Sequence, residues 1–157
     1  MQDFIAAAVT ARRDPDFVLI ARTDARAVEG LEGAIERARR YVEAGADMVF
    51  PEGLETREEF AAFAREIRAP LLANMTEFGK TPYLPVSEFA ALGYRLVLFP
   101  MTAFRVAMKA VEEAFSQLMV EGTQQGFVER MQTRKELYEL LRYDEYARLD
   151  DQIAGYQ

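Results

Sequence analysis

The chain has 157 residues, half of them apolar, which fits one domain with a substantial core and argues against disorder. Charged residues make up 29%, mixed in sign with a net charge of -7, so no basic surface for nucleic acid is expected. No apolar run approaches the ~20 residues that span a bilayer, the first residues do not read as a signal peptide, and cysteine is absent, so the chain is expected to be soluble and cytoplasmic.

Histidine is absent as well. Imidazole bases, thiolate nucleophiles and nitrogen or sulfur metal ligands are thereby removed, leaving carboxylates, Arg, Lys, Tyr and hydroxyls. Such a set suits anionic substrates and a hard, oxygen-liganded cation such as Mg²⁺.

In chain order, Met1 to Arg13 reads as an amphipathic helix carrying Phe4, Ile5, Ala8 and Val9, broken by Arg13-Asp14-Pro15-Asp16. Phe17-Val18-Leu19-Ile20-Ala21 follows as a strand, its unbroken apolar run predicting cover on both faces. Gly30 to Ala44 repeats apolar residues at helical spacing (Leu31, Ala34, Ile35, Ala38, Val42), with Gly45 as its cap.

The pattern then recurs three times. Asp47-Met48-Val49-Phe50 precedes a helix with a capping box at Thr56 and Glu59 and a core stripe of Phe60, Phe63, Ala64 and Ile67, ended by Pro70. Leu71-Leu72-Ala73-Asn74 is the third strand, with a polar loop and a short helix from Ser87 to Leu92 stopped by Gly93. Leu96-Val97-Leu98-Phe99 is the fourth, with a helix from Thr102 to Val120 whose core stripe is Phe104, Met108, Val111, Phe115 and Leu118, ended by Gly122. Helices near Phe127 to Met131, Arg134 to Leu141 (capped by Thr133 with Glu136) and Tyr143 to Ala154 complete the tail.

Strand starts spaced by ~25 residues mark an α/β protein of parallel βα repeats. A doubly wound sheet fits the length, but no glycine-rich phosphate fingerprint follows the first strand. A closed (β/α)8 barrel needs ~250 residues, so half of one is the favoured architecture, because polar residues follow each strand where barrels build their sites. The expected division is residues 1–122 as the half barrel with its preceding helix, and 123–157 as a helical tail.

Arg22-Thr23-Asp24 follows the first strand, and a guanidinium there can grip a carboxylate through two parallel hydrogen bonds, or pair structurally with Asp24. Glu52 follows the second strand and suits a metal-bound water or a substrate hydroxyl, or is a solvated loop glutamate. Asn74 to Gly79 brings an amide, hydroxyl (Thr76) and carboxylate (Glu77) together, fit for carboxylate recognition or for an Asx turn with a helix cap. Arg105 and Arg134 sit in first helical turns, where a cation opposes the dipole and an anion relieves it, or where each makes surface salt bridges. The tail residues Leu137, Tyr138, Leu140, Leu141, Tyr143, Tyr146, Leu149 and Tyr156 read as a packing surface for another subunit.

The segments Ala21 to Ala25, Ala44 to Glu52, Ala73 to Gly79, Thr102 to Arg105 and Met131 to Tyr138, five in the correct order, together resemble methylisocitrate lyase of the isocitrate lyase and phosphoenolpyruvate mutase superfamily. The resemblance implies a (β/α)8 barrel that, with Mg²⁺, cleaves 2-methylisocitrate into pyruvate and succinate in propionate breakdown. It places Arg22, Glu52, Asn74, Thr76, Arg105 and Arg134 at substrate-contacting positions. The family's magnesium-binding aspartates, its Ser-Gly-Gly segment and its Lys-Arg-Cys-Gly-His loop, with the presumed proton-donor Cys, have no counterpart in these residues. The expectation is therefore strands five to eight and the C-terminal helices, with no catalytic or metal-ligating residue assigned here. Such a chain binds a small di- or tricarboxylate, with neither nucleic acid nor membrane as partner, and forms a homo-oligomer or pairs with an N-terminal half. The alternatives are an inactive assembly module, or a mutase, decarboxylase or dimethylmalate lyase activity of the same superfamily.

Overall fold

The computed structural model describes residues 1–155, so Tyr156 of the expected tail surface lies outside the described residues. Two compact units divide at Ala107 and Met108. The first holds α1 (Gln2–Ala11), β1 (Ile20–Thr23), α2 (Arg26–Glu43), β2 (Met48–Pro51), α3 (Arg57–Glu66), β3 (Leu72–Asn74), α4 (Val86–Leu92) and β4 (Leu96–Leu98). The helix α5 (Thr102–Glu121) crosses the division, and the second unit continues with a 3-10 turn (Gln125–Arg130), α6 (Arg134–Leu141) and α7 (Tyr143–Ala154). No helix among the described residues is long and apolar enough to cross a membrane.

All strand pairing is parallel and follows sequence order. β1 pairs with β2 (Ala21 opposite Val49) and β3 with β4 (Ala73 opposite Val97), while a bridge between Val49 and Leu71 joins the two pairs. A doubly wound sheet reverses its strand order at a switch point. Sequential order instead is how a barrel wall is laid down, with every strand's C-terminal end on the same rim.

The helix-facing side of this wall carries the core. Val49, Leu71 and Ala73 pack with Ala34, Ile35 and Ala38 of α2, Phe60 and Phe63 of α3, and Phe89 of α4. Phe60, Phe89 and Tyr94 form an edge-to-face triangle with centroids 5.1 to 5.7 Å apart, and the Tyr94 hydroxyl donates to the Phe60 carbonyl at 3.2 Å.

On the opposite side β1 and β4 are open, contrary to the expectation of a first strand covered on both faces, while Leu72 of β3 is buried there. Along β1, Ala21 and Thr23 are buried while Ile20 and Arg22 are exposed, and Leu96 and Leu98 of β4 are exposed as well. Within the first unit α2, α3 and α4 shield the face that carries Val49, Leu71 and Ala73. The apolar stripe of α5 has no fully buried residue: Phe104, Met108, Val111 and Phe115 are exposed and Leu118 is half-buried.

Local corrections are smaller. β1 begins at Ile20 rather than Phe17, which places Arg22 within the strand. The first helical turn of α2 starts at Arg26, and Gly30, at φ 74°, separates it from the rest. Thr56 caps α3 by accepting from Glu59 N–H at 3.1 Å, but the Glu59 carboxylate does not complete the box. It turns instead to Glu55 N–H (2.7 Å) and Arg26 (2.7 Å), because a guanidinium is the stronger partner. At Thr133 and Glu136 both halves of the box form.

Replacing Phe89, fully buried within the triangle, with Ala is expected to cost ~3–5 kcal/mol, read as a lowered denaturant midpoint with unchanged slope. Gly45→Ala is expected to destabilise by at least ~1 kcal/mol, since φ is 103° and a Cβ there would meet Val9 at 2.8 Å. Val9→Ala alongside it should recover only the steric share, as thermal melts of the single and double variants will read.

Candidate active site

The C-terminal rim of the four strands gathers five of the six side chains singled out above. β1 ends at Thr23 opposite Pro51, so Asp24 follows beside Glu52, and β3 ends in Asn74 opposite Leu98. Arg22 donates through Nε to Asp24 Oδ2 (3.0 Å) and through Nη2 to Oδ1 (2.8 Å), and its Nη2 also lies 3.5 Å from Glu52 Oε2. Asn74 Nδ2 donates to that same Glu52 oxygen at 3.3 Å, and Thr76 Oγ1 donates to Asn74 Oδ1 at 3.0 Å. Asp24, Arg22, Glu52, Asn74 and Thr76 thus form one continuous polar chain across three strand ends.

Arg22 takes the structural pairing that its neighbour offers. It pairs with Asp24, yet it remains about half exposed (52%), with Nη1 making no hydrogen bond among the described residues and its guanidinium over the Phe50 ring at 5.1 Å. The hydrogen bond from Arg22 lowers the Asp24 pKa, and the one to Asp24 raises that of Arg22, so the pair stays ionised over a widened pH range. Glu52 is not a solvated loop glutamate: its side chain is 27% exposed and both neighbours reach it.

The rim is braced from behind. Arg26, the first residue of α2, reaches Glu55 (2.8 Å) and Glu59 (2.7 Å), tying the loop after β1 to the loop after β2. Thr81 donates to the Leu54 carbonyl at 2.8 Å and fastens the loop after β3 to the same place.

Arg105 stands in the first turn of α5. Its Nε lies 3.6 Å from Glu77 Oε2 and its guanidinium covers the Phe78 ring at 5.0 Å, while Thr102, at the start of the helix, hydrogen-bonds Glu77 Oε1. Arg134 belongs to the second unit, as the first residue of α6, and is exposed. The two aromatic rings under the arginines were not singled out from sequence. Phe50 shares a sheet face with Arg22 only once the register is known, and Phe78 faces Arg105 only through a left-handed backbone at φ 64°.

No group of three His, Cys, Asp or Glu side chains among the described residues is placed to hold a metal ion. Asp24 is committed to Arg22, and Glu52 is flanked by a guanidinium and an amide, so these oxygens do not make a magnesium cage. What the rim offers is guanidinium, amide and hydroxyl donors beside one carboxylate, a combination that binds and orients an anionic, hydroxyl-bearing molecule.

The chain matches the family model "Phosphoenolpyruvate phosphomutase" over residues 1–119. It is 53% identical over 150 residues to a 2-methylisocitrate lyase from Aeropyrum pernix, covering 96% of this chain and 48% of that relative. The chain therefore spans about half the length of the curated relatives it matches. Among solved structures it is similar to 2,3-dimethylmalate lyase, described as a member of the PEP mutase/isocitrate lyase superfamily, with a TM-score of 0.84 at 35% identity, covering 95% of this chain and 53% of that one. A phosphonopyruvate hydrolase in complex with oxalate and Mg²⁺ superposes with a TM-score of 0.79 at 33% identity, over 94% of this chain and 53% of that one. The sequential parallel wall, its polar rim and a family match over residues 1–119 agree: the chain belongs to the phosphoenolpyruvate phosphomutase family of the isocitrate lyase superfamily, and carries half of its barrel.

Proposed function

We propose that this chain supplies the carboxylate-binding half of a 2-methylisocitrate lyase, which cleaves 2-methylisocitrate to pyruvate and succinate in propionate breakdown. The observation that carries the reading is the continuous rim from Asp24 to Thr76, in a chain 53% identical to a protein of that name.

The reaction is a retro-aldol cleavage. The substrate hydroxyl loses its proton, the adjacent carbon-carbon bond breaks to leave the pyruvate carbonyl, and the electron pair passes to an enolate-like carboxylate that is then protonated to succinate. Arg22 and Arg105 hold carboxylates through the guanidinium edges left open by Asp24 and Glu77. Asn74 and Thr76 add neutral donors, and Glu52 accepts from the substrate hydroxyl or from a water beside it; Arg134 of α6 is proposed as a further carboxylate contact in the assembled enzyme. Charge moves towards a carboxylate as the bond breaks, and fixed cations stabilise that state more than the ground state.

Magnesium serves the assembled enzyme through ligands other than the residues present here, as does the acid that protonates the enolate. The assembled form is a homo-oligomer or a pairing of this chain with an N-terminal half, and the exposed residues Leu137, Leu140, Leu141, Tyr146 and Leu149 supply the tail's packing surface.

Mixing the purified chain with a separately produced N-terminal half is expected to restore Mg²⁺-dependent release of pyruvate and succinate, followed by coupled assay, while neither piece is active alone. Full activity of this chain by itself overturns the reading, and turnover of 2,3-dimethylmalate or phosphonopyruvate in its place reassigns the substrate within the superfamily. In the reconstituted enzyme Arg22→Ala or Arg105→Ala should lower kcat/KM by about 30-fold or more, equivalent to ~2 kcal/mol of transition-state binding. Unchanged kinetics remove that arginine from the site.

A further inference from the structure

Arg22 and Arg105 are held differently. Asp24 occupies the Nε and Nη2 edge of Arg22 with two short bonds. Around Arg105 only Nε faces a carboxylate, Glu77 Oε2 at 3.6 Å, just beyond hydrogen-bond reach, and among the described residues neither Nη makes a hydrogen bond. Arg105 therefore keeps its terminal fork free, the edge best matched to two carboxylate oxygens.

Glu77 is itself tightly placed. One of its oxygens takes the hydroxyl of Thr102, the residue that opens α5, and the other, Oε2, is buried with no hydrogen-bond partner. A buried carboxylate oxygen left unpaired is costly, and the nearest cation to it is the Arg105 guanidinium. The hydroxyl of Thr102 holds the Glu77 carboxyl below its usual pKa, with Arg105 adding to the effect, so the group stays ionised at neutral pH. The next residue, Phe78, adopts φ 64°, a left-handed conformation unfavourable for a non-glycine residue, fixed by its N–H donating to the Tyr83 hydroxyl at 2.9 Å. That conformation slides the Phe78 ring beneath Arg105.

We propose that Glu77 is a positioning residue: together with Phe78 it presets Arg105, holding Nε on one edge and the guanidinium face on an aromatic ring so that the free fork meets a substrate carboxylate end-on. The Glu77–Thr102 bond makes the preset part of the fold, since it joins the loop after β3 to the first turn of α5. When a carboxylate engages the fork, the 3.6 Å gap at Nε is short enough to close into a hydrogen bond, and the buried oxygen gains its partner. This rests on the reading of Arg105 as a substrate clamp.

The experiment is a double-mutant cycle in the assembled enzyme, following kcat, KM and inhibition by succinate. Glu77→Gln, which keeps shape but loses charge, is expected to lower kcat/KM about 10-fold, mostly through KM, and to weaken succinate inhibition similarly. In an Arg105→Ala background the same change should cost less than about 2-fold, because there is no longer a guanidinium to position. An equal loss in both backgrounds, or no loss with Arg105 intact, overturns the proposal while leaving the clamp reading standing; an inert Arg105→Ala defeats the clamp reading itself. Thr102→Val, which releases Glu77 from the other side, should reproduce the loss, and failure of both variants to fold would mark Glu77 as purely structural and overturn the role.

Discussion

Parallel pairing in sequence order is the constraint on which everything else depends. Because each strand of the first unit lies beside its chain neighbour and points the same way, every strand's last residue reaches the same rim. Asp24, Glu52 and Asn74, far apart in sequence, arrive side by side without any loop having to fold over to deliver them. The helices on the other side then need only hold the wall in place, which they do through a packed aromatic and aliphatic layer. Rigid elements position donors more accurately than loops.

The rim is also electrically coupled. Arg22, Glu52 and Asn74 share one carboxylate oxygen, so the orientation of each depends on the others. Arg26 fixes the loops after β1 and β2 from behind without entering the rim. A cation held between two carboxylates needs no buried unpaired charge, and that is how several ionised groups are kept close together at modest cost.

Much of this is legible in the residues themselves. The four apolar runs, the glycine stops and the polar residues after each run announce βα repeats, and the order Arg22, Glu52, Asn74 along the chain becomes the order across the rim once sequential pairing is assumed. What escapes is anything set by tertiary competition. Glu59 looks like a capping-box partner until Arg26, 33 residues earlier, draws it away. Phe78 carries no mark of a left-handed backbone, since that conformation is fixed by a hydroxyl five residues on. The stripe on α5 has a core-like period, but period reports only that a face is apolar, not what will cover it.

The bare side of the sheet has a further meaning. Ile20, Leu96 and Leu98 stand in water on a surface whose shape is that of an interior, and each square ångström left wet forgoes ~25 cal/mol of burial. An uncovered wall of this kind makes no distinction between the complement it was shaped for and any other greasy ribbon it meets. Whatever covers this wall in the complete barrel therefore guards against aggregation as well as closing the core.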